Sequence, residues 1–405
     1  MNLFRLSLIG LGALTWMSCE PQAEPTPPFN HLAIIDMEAN GELPVHFDIH
    51  ENETGLAMSI VNGEDRMDLD ISYDSLTQEI HTMLPFDGEL YLWKNPYGGY
   101  RGQYIREGKG LDQDIEILPT DNAQRFPYQE DINDINQELT HSRYAVNIER
   151  YGDCVIELRR EEDSTLAGTV LTQTGDLRYM VGNWIGDRQF KMSTFDGVFA
   201  YVLECQMHGD SIDGVLRSGS QSTYRLSGNA DANAELEDPT QITTAADDAN
   251  WDLHFPTYDG GALQSIHPSQ NAVTIIQIMG SWCPNCLDEG RALQKLHESY
   301  GDQGLGVYAL TFERSDDRTA ALPAVSRMVE HTGLTYPVLF AGKAFRGAAE
   351  QALPIDNFIS YPTYIVLDAQ GAVLEIHAGF SGPGTSKYDA WYQALEALIL
   401  SQIGA

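Results

Sequence analysis

Cys283 and Cys286 stand three apart in the run Gly280-Ser281-Trp282-Cys283-Pro284-Asn285-Cys286. A cysteine pair at that spacing can bind a metal, close a small structural bridge or exchange electrons. Zinc needs two further ligands at matching spacing, and Cys154 and Cys205 lie far apart with no Cys-x-x-Cys partner. A purely structural bridge across so short a loop would restrict the unfolded chain little. Redox exchange fits the pattern best.

That chemistry needs a thiolate, and a free cysteine with a pKa of about 8.5 is only slightly ionised at neutral pH. The elements around the pair address this. Val273 to Met279 is an apolar, largely β-branched run long enough for one buried strand, and the spacing predicts a helix over Asn285–Tyr300. Cys283 then sits at a helix start, where free N–H groups and the positive end of the dipole favour its anion. Lowering the pKa to about 7 would gain roughly 16-fold in thiolate and lose about 5-fold in nucleophilicity, so the larger benefit is a better leaving group. Pro284 suits the first helical turn, because the N–H it lacks would have no partner there.

Further along, strands are expected at Gly306–Phe312, Tyr364–Leu367 and Val373–Ile376, with helices at Thr319–Thr332 and Ser386–Leu400. Strands alternating with helices and ending in a hairpin plus a helix give a mixed sheet covered on both faces.

Together with Tyr361-Pro362-Thr363, Glu289 and the run His377-Ala378-Gly379-Phe380-Ser381-Gly382-Pro383, this pattern resembles the exported TlpA-like thiol-disulfide oxidoreductases of the thioredoxin superfamily, over about residues 250 to 400. The resemblance implies an α/β thioredoxin fold for 251–405. It also implies a cis Pro362 facing the cysteines and a Tyr361 whose backbone pairs with client peptide and whose side chain lines the groove. Cys283 is then the nucleophile and Cys286, one turn deeper on the same face, the resolving thiol. Trp282 and Pro284 support the pair, and peroxidase chemistry fits it less well. No cofactor beyond the Cys283–Cys286 dithiol and no metal is expected. The expected partners are thiols or disulfides of exported proteins and a membrane electron donor or acceptor. One position departs from the thioredoxin pattern: the buried acid expected six residues before Cys283 is Gln277. Glu289 and Glu313 are candidate substitutes as proton acceptor for Cys286, although each reads more readily as a solvated carboxylate.

The N-terminal half has a different rhythm. From about Leu43 to Ser222 apolar residues alternate, as in Val45/Phe47/Ile49 and Ile156/Leu158, with turn pairs such as Asn62-Gly63 between them. This predicts an all-β region, barrel or sandwich, over 31–228. It also repeats itself. Gly63-Glu64-Asp65-Arg66 recurs as Gly175-Asp176-Leu177-Arg178, Phe86-Asp87-Gly88 as Phe195-Asp196-Gly197, and Gly102 answers to Gly214. Two copies of one β-meander, about 43–104 and 144–216, are expected. The recurring Phe-Asp-Gly reads as a turn with a core aromatic rather than a ligand site. Residues 229–250, rich in Ala, Asp, Asn and Thr, read as a linker.

Lys and Arg total 24 against 59 Asp and Glu, a formal charge of -35. Such a chain would be repelled by nucleic acid and by anionic lipid headgroups. Residues 1–18 carry one basic residue and then an apolar stretch, the pattern of an export signal. Ser18-Cys19 resembles a bacterial lipoprotein cleavage site, which makes Cys19 a lipidation site and 19–30, rich in Pro and Glu, a tether holding the protein on the periplasmic side of a membrane. Export implies an oxidising compartment. Cys154 and Cys205 both fall on core-facing strand positions, and that compartment favours a bridge between them over two free thiols. A second reading of the whole is a ligand- or partner-binding surface lipoprotein whose thioredoxin-like domain is a redox-sensitive interaction module.

Overall fold

The computed structural model describes residues 29–404, except 53–54, 87, 107–110, 123, 128–138, 140 and 162–164. The expected signal segment, Cys19, most of the tether and Asp87 lie outside the described residues. Among the described residues no helix is long and apolar enough to cross a membrane. The tether ends earlier than expected, because Phe29 is buried and stacks on His46 with ring centroids 3.9 Å apart.

Strict alternation makes the strand Glu42–Asn52 one-sided: Leu43, Val45, Phe47 and Ile49 are buried while their neighbours vary. It belongs to a nine-stranded sheet built from 31–119, in which the first strand, His31–Asp36, lies between Glu42–Asn52 and the last, Leu111–Pro119. A second nine-stranded sheet, from 143–230, repeats that plan, with its first strand Arg143–Ile148 between Gly152–Arg160 and Ser222–Ala230. Two of the three recurring motifs occupy matching places; the Gly63 run does not, because Gly63 lies in the turn between the paired Asn62 and Asp65 whereas Gly175 is a strand residue paired with Thr172. Phe86 and Phe195 each lead into the turn before the next strand, Gly88–Lys94 and Ala200–His208 respectively. Gly102 and Gly214 lie where an added Cβ would strike the neighbouring strand, 1.8 Å from the Tyr91 oxygen and 2.1 Å from the Glu204 oxygen.

The second sheet closes on itself, because Gly152–Arg160 also pairs with Thr165–Thr172. That closure corrects the expected Cys154–Cys205 bridge, since both thiols are free and buried. Whichever way the ring is followed, three strands separate the one bearing Cys154 from the one bearing Cys205. At about 4.8 Å per strand they stand roughly 19 Å apart along the wall and about 12 Å across. A disulfide spans only about 4.4–6.8 Å between Cα atoms. Both side chains face the core as expected, but from opposite walls. Burial pushes the Cys154 thiol up to about 12 and the Cys205 thiol in the same direction, so neither is a nucleophile at neutral pH.

The two sheets are clamped by Arg125, a fully buried guanidinium. It donates to the Val61 oxygen at 2.7 Å in one copy and to the Ser193 oxygen at 2.7 Å in the other. Its backbone N–H, with that of Phe126, is held by the Asn183 side chain at 3.0 Å. The expected linker is a packed strap. Ala234 is buried beside Val155 and Leu171, and Thr244–Ala245 pairs antiparallel with Ile355–Asp356.

In the C-terminal domain the sheet order is Val338–Lys343, Leu305–Glu313, Val273–Met279, Thr363–Asp368, Val373–Ala378. The first three are parallel; Thr363–Asp368 runs antiparallel to the central Val273–Met279, and Val373–Ala378 runs antiparallel to Thr363–Asp368. Helices α1 (Pro284–Tyr300), α2 (Arg318–Thr332) and α4 (Tyr388–Ile403) share one hydrophobic cluster on one face. The short α3 (Ala348–Ala352) and the hairpin Leu253–Pro256 with Leu263–Ile266 cover the other. Strand alternation places Val273, Ile275 and Gln277 toward the α1 face and Ile276 and Ile278 toward the opposite one. The strand Val338–Lys343 was not expected; its short apolar run after Pro337 carries no alternation to mark it.

Candidate active site

Cys283 is the N-cap of α1, with extended backbone, and Pro284 follows in the first turn. The geometry matches the sequence logic: the Cys286 N–H points at the Cys283 sulfur, 3.3 Å away. The two cysteines are joined as a disulfide, with Cα atoms 5.3 Å apart. Cys286 is fully buried and Cys283 retains 7% exposure. Cys283 is thus the less buried of the pair and the one a client would meet first.

Pro362 is cis, and the carbonyl oxygen of Tyr361 before it lies 3.6 Å from the Cys283 sulfur. The Tyr361 ring packs edge-on against Trp282 at 5.3 Å and Phe358 at 4.9 Å, and Trp282 is fixed by donating its indole N–H to the Phe312 oxygen at 2.9 Å. Trp282, Tyr361 and Pro362 thus border the outer cysteine as an aromatic wall.

Both candidate acids prove to be buried rather than solvated. Glu289 lies three residues past Cys286, so it shares that residue's inward face of α1, and it is fully buried. Gln277, directly below, donates from Nε2 to the Glu289 carboxyl at 3.0 Å and to the Cys286 carbonyl at 3.1 Å. Tyr336 donates its hydroxyl to Gln277 Oε1 at 3.3 Å. The missing acid on the central strand is therefore matched by an acid on the helix that faces it. Burial pushes the Glu289 carboxyl up to about 8, with the Gln277 hydrogen bond opposing the shift. Its Oε1 has no hydrogen-bond partner. Glu313 serves the backbone before the cysteines: it accepts from the Ser281 N–H at 3.0 Å and from the Ser281 hydroxyl at 2.6 Å.

A second group of residues at the site comes from the β region and was not foreseen as functional. Asn285, between the cysteines, donates to the Asp176 oxygen at 3.2 Å and the Phe380 oxygen at 3.4 Å, and accepts from Arg178 at 3.1 Å. The Arg178 guanidinium also pairs with Asp288 on α1, with Asp196 at 2.9 Å and with Asp65 at 3.8 Å. Phe86, from the first β copy, packs into the cluster that contains Cys283 and Cys286. The available signal was the recurrence of Gly-Asp-Leu-Arg and Phe-Asp-Gly, which marks turns without showing what they touch. Among the described residues no group of three or more His, Cys, Asp or Glu side chains could hold a metal ion.

Fold and site together define a thioredoxin-like domain in the C-terminal region. Residues 244–391 match the Redoxin family model. The thioredoxin-like protein YneN of Bacillus subtilis (strain 168) is 27% identical over 119 residues, 29% of this chain and 64% of that protein, so the chain spans less than two thirds of its length. Among solved structures, a putative thiol:disulfide interchange protein DsbE from Chlorobium tepidum is 22% identical, covering 40% of this chain and 98% of its own, with a TM-score of 0.31. A secreted Mycobacterium tuberculosis disulfide oxidoreductase, described as homologous to the Escherichia coli DsbE, is 15% identical over 37% of this chain and 96% of its own, with a TM-score of 0.28.

Proposed function

We propose that this protein is an exported, membrane-anchored thiol-disulfide oxidoreductase that exchanges disulfides with exported proteins through Cys283 and Cys286. The observation that carries this reading is the N-cap position of Cys283, its sulfur facing the Cys286 N–H and the Tyr361 carbonyl. In the reducing direction the Cys283 thiolate attacks a client disulfide, forming a mixed disulfide and releasing one client thiolate. The Cys286 thiolate then attacks the Cys283 sulfur and releases the second. The client gains two electrons, which the pair loses on closing its own disulfide. Glu289, with its carboxyl pushed up to about 8, is close enough in acidity to a thiol to exchange a proton with Cys286 at little cost. Tyr361 and Trp282 border the position a client segment would take beside Cys283. The anchor in this reading is Cys19, and the partners are exported protein thiols or disulfides and a membrane electron donor or acceptor.

The test is dithiothreitol-driven reduction of insulin by the full chain and by Cys283→Ser. The proposal expects catalysis by the wild type and the uncatalysed rate for the variant. Equal rates for the two would refute it.

A further inference from the structure

Asn285 and Asp288 are one helical turn apart, so they lie on one face of α1 beside the cysteines. Both are gripped by Arg178, which belongs to the second β sheet and not to the thioredoxin fold. The grip is made at the buried floor of a cleft: Arg178, Asp176 and Asp196 are almost wholly buried, while Asp65 is partly exposed. The Arg178 backbone has φ 65°, the left-handed region that non-glycine residues seldom occupy, at a turn locked to the other domain. The locking is close. Gly175 forms an isolated bridge with Phe380, and an added Cβ there would come within 2.7 Å of the Asn285 amide nitrogen. Arg178 thus stands among the four carboxylates of Asp65, Asp176, Asp196 and Asp288, next to the helix start that carries Cys283, while Arg291 of α1 meets Asp288 at 3.4 Å.

We propose that Arg178 is a positioning residue for the redox pair: by holding Asn285 and Asp288 it sets the reduction potential of Cys283–Cys286 from the β region. The inference rests on the exchange function proposed above. Arg178 balances carboxylate charge at the positive end of α1, where the Cys283 thiolate forms. Without it the carboxylates, of which Arg291 meets Asp288 alone by an ion pair, disfavour that thiolate, hence the reduced state, and the pair becomes a stronger reductant. Removing the Asp288 charge acts in the opposite sense.

The test is the equilibrium of the full chain with glutathione, in which the dithiol and one oxidised glutathione give the protein disulfide and two reduced glutathiones. It is measured by quantifying alkylated Cys283 and Cys286 in wild type, Arg178→Met, Arg178→Lys and Asp288→Asn. Arg178→Met should favour the oxidised protein by about tenfold in the equilibrium constant, equivalent to ~30 mV. Arg178→Lys, which keeps the charge but not the fork, should fall between it and wild type, and Asp288→Asn should shift the constant the other way. If Arg178→Met fails to fold, the opposed shifts of Arg178→Lys and Asp288→Asn decide the matter. Constants within twofold of wild type in the folded variants, or shifts of the same sign for Arg178→Lys and Asp288→Asn, overturn the inference. A wild-type pair that does not equilibrate with glutathione at all overturns the exchange function itself.

Discussion

Replacing Glu289 by Gln keeps the size of the side chain and removes its titration. In the folded protein the carboxyl is pushed from its ordinary 4.5 up to about 8 by complete burial. Between those values the folded chain holds a proton that the unfolded chain has lost. Its contribution is therefore fully present below about pH 4.5 and disappears as pH rises through about 8. Each pKa unit is worth about 1.36 kcal/mol, so the whole span amounts to roughly 5 kcal/mol. Urea unfolding of the oxidised protein, followed by tryptophan fluorescence from pH 5 to 9, measures this without titration of Cys283 or Cys286; the free Cys154 and Cys205 contribute alike to both proteins. His331 and His377, which burial lowers to about 4, and Asp176, which burial raises to about 7, also contribute slopes, but these are common to both proteins. The difference between wild type and Glu289→Gln should thus change by several kcal/mol in favour of the variant as pH rises. Parallel stability curves for the two would refute a buried, neutral Glu289.

Arg125→Met leaves the Val61 and Ser193 carbonyls without their buried donor, and unmet buried acceptors cost about 1–3 kcal/mol each. The urea midpoint of the β region should fall accordingly while insulin reduction by the folded protein is unchanged; an unaltered midpoint would contradict its role as a clamp. Cys19→Ala should move the protein from the membrane to the soluble fraction of expressing cells. Unchanged partition would argue against lipid anchoring at that residue.

How much of this was legible in the sequence differs by element. The strand Val273–Met279 and helix α1 follow from local pattern, and the N-cap position of Cys283 follows from where that helix begins. Glu289 was within reach, because a residue three past the buried Cys286 must share its face. Its burial became evident only when Gln277, on the neighbouring strand, was placed beneath it. Cys154 and Cys205 show the limit of alternation. It tells which side of a strand a residue faces, while ring closure decides which residues meet across the core. Arg178 and Asn285 are 107 residues apart and touch only because a turn of one domain docks on the helix start of another. No periodicity within either segment encodes that contact.

In the proposed exchange Cys283 attacks client disulfides and Cys286 resolves the adduct. Cys286→Ser, expressed in cells and recovered under thiol-blocking conditions, measures it most directly. Disulfide-linked adducts with exported proteins through Cys283 are expected, which dithiothreitol releases and which Cys283→Ser with Cys286→Ser abolishes. Absence of adducts from the single variant, or adducts that persist in the double variant, would contradict it.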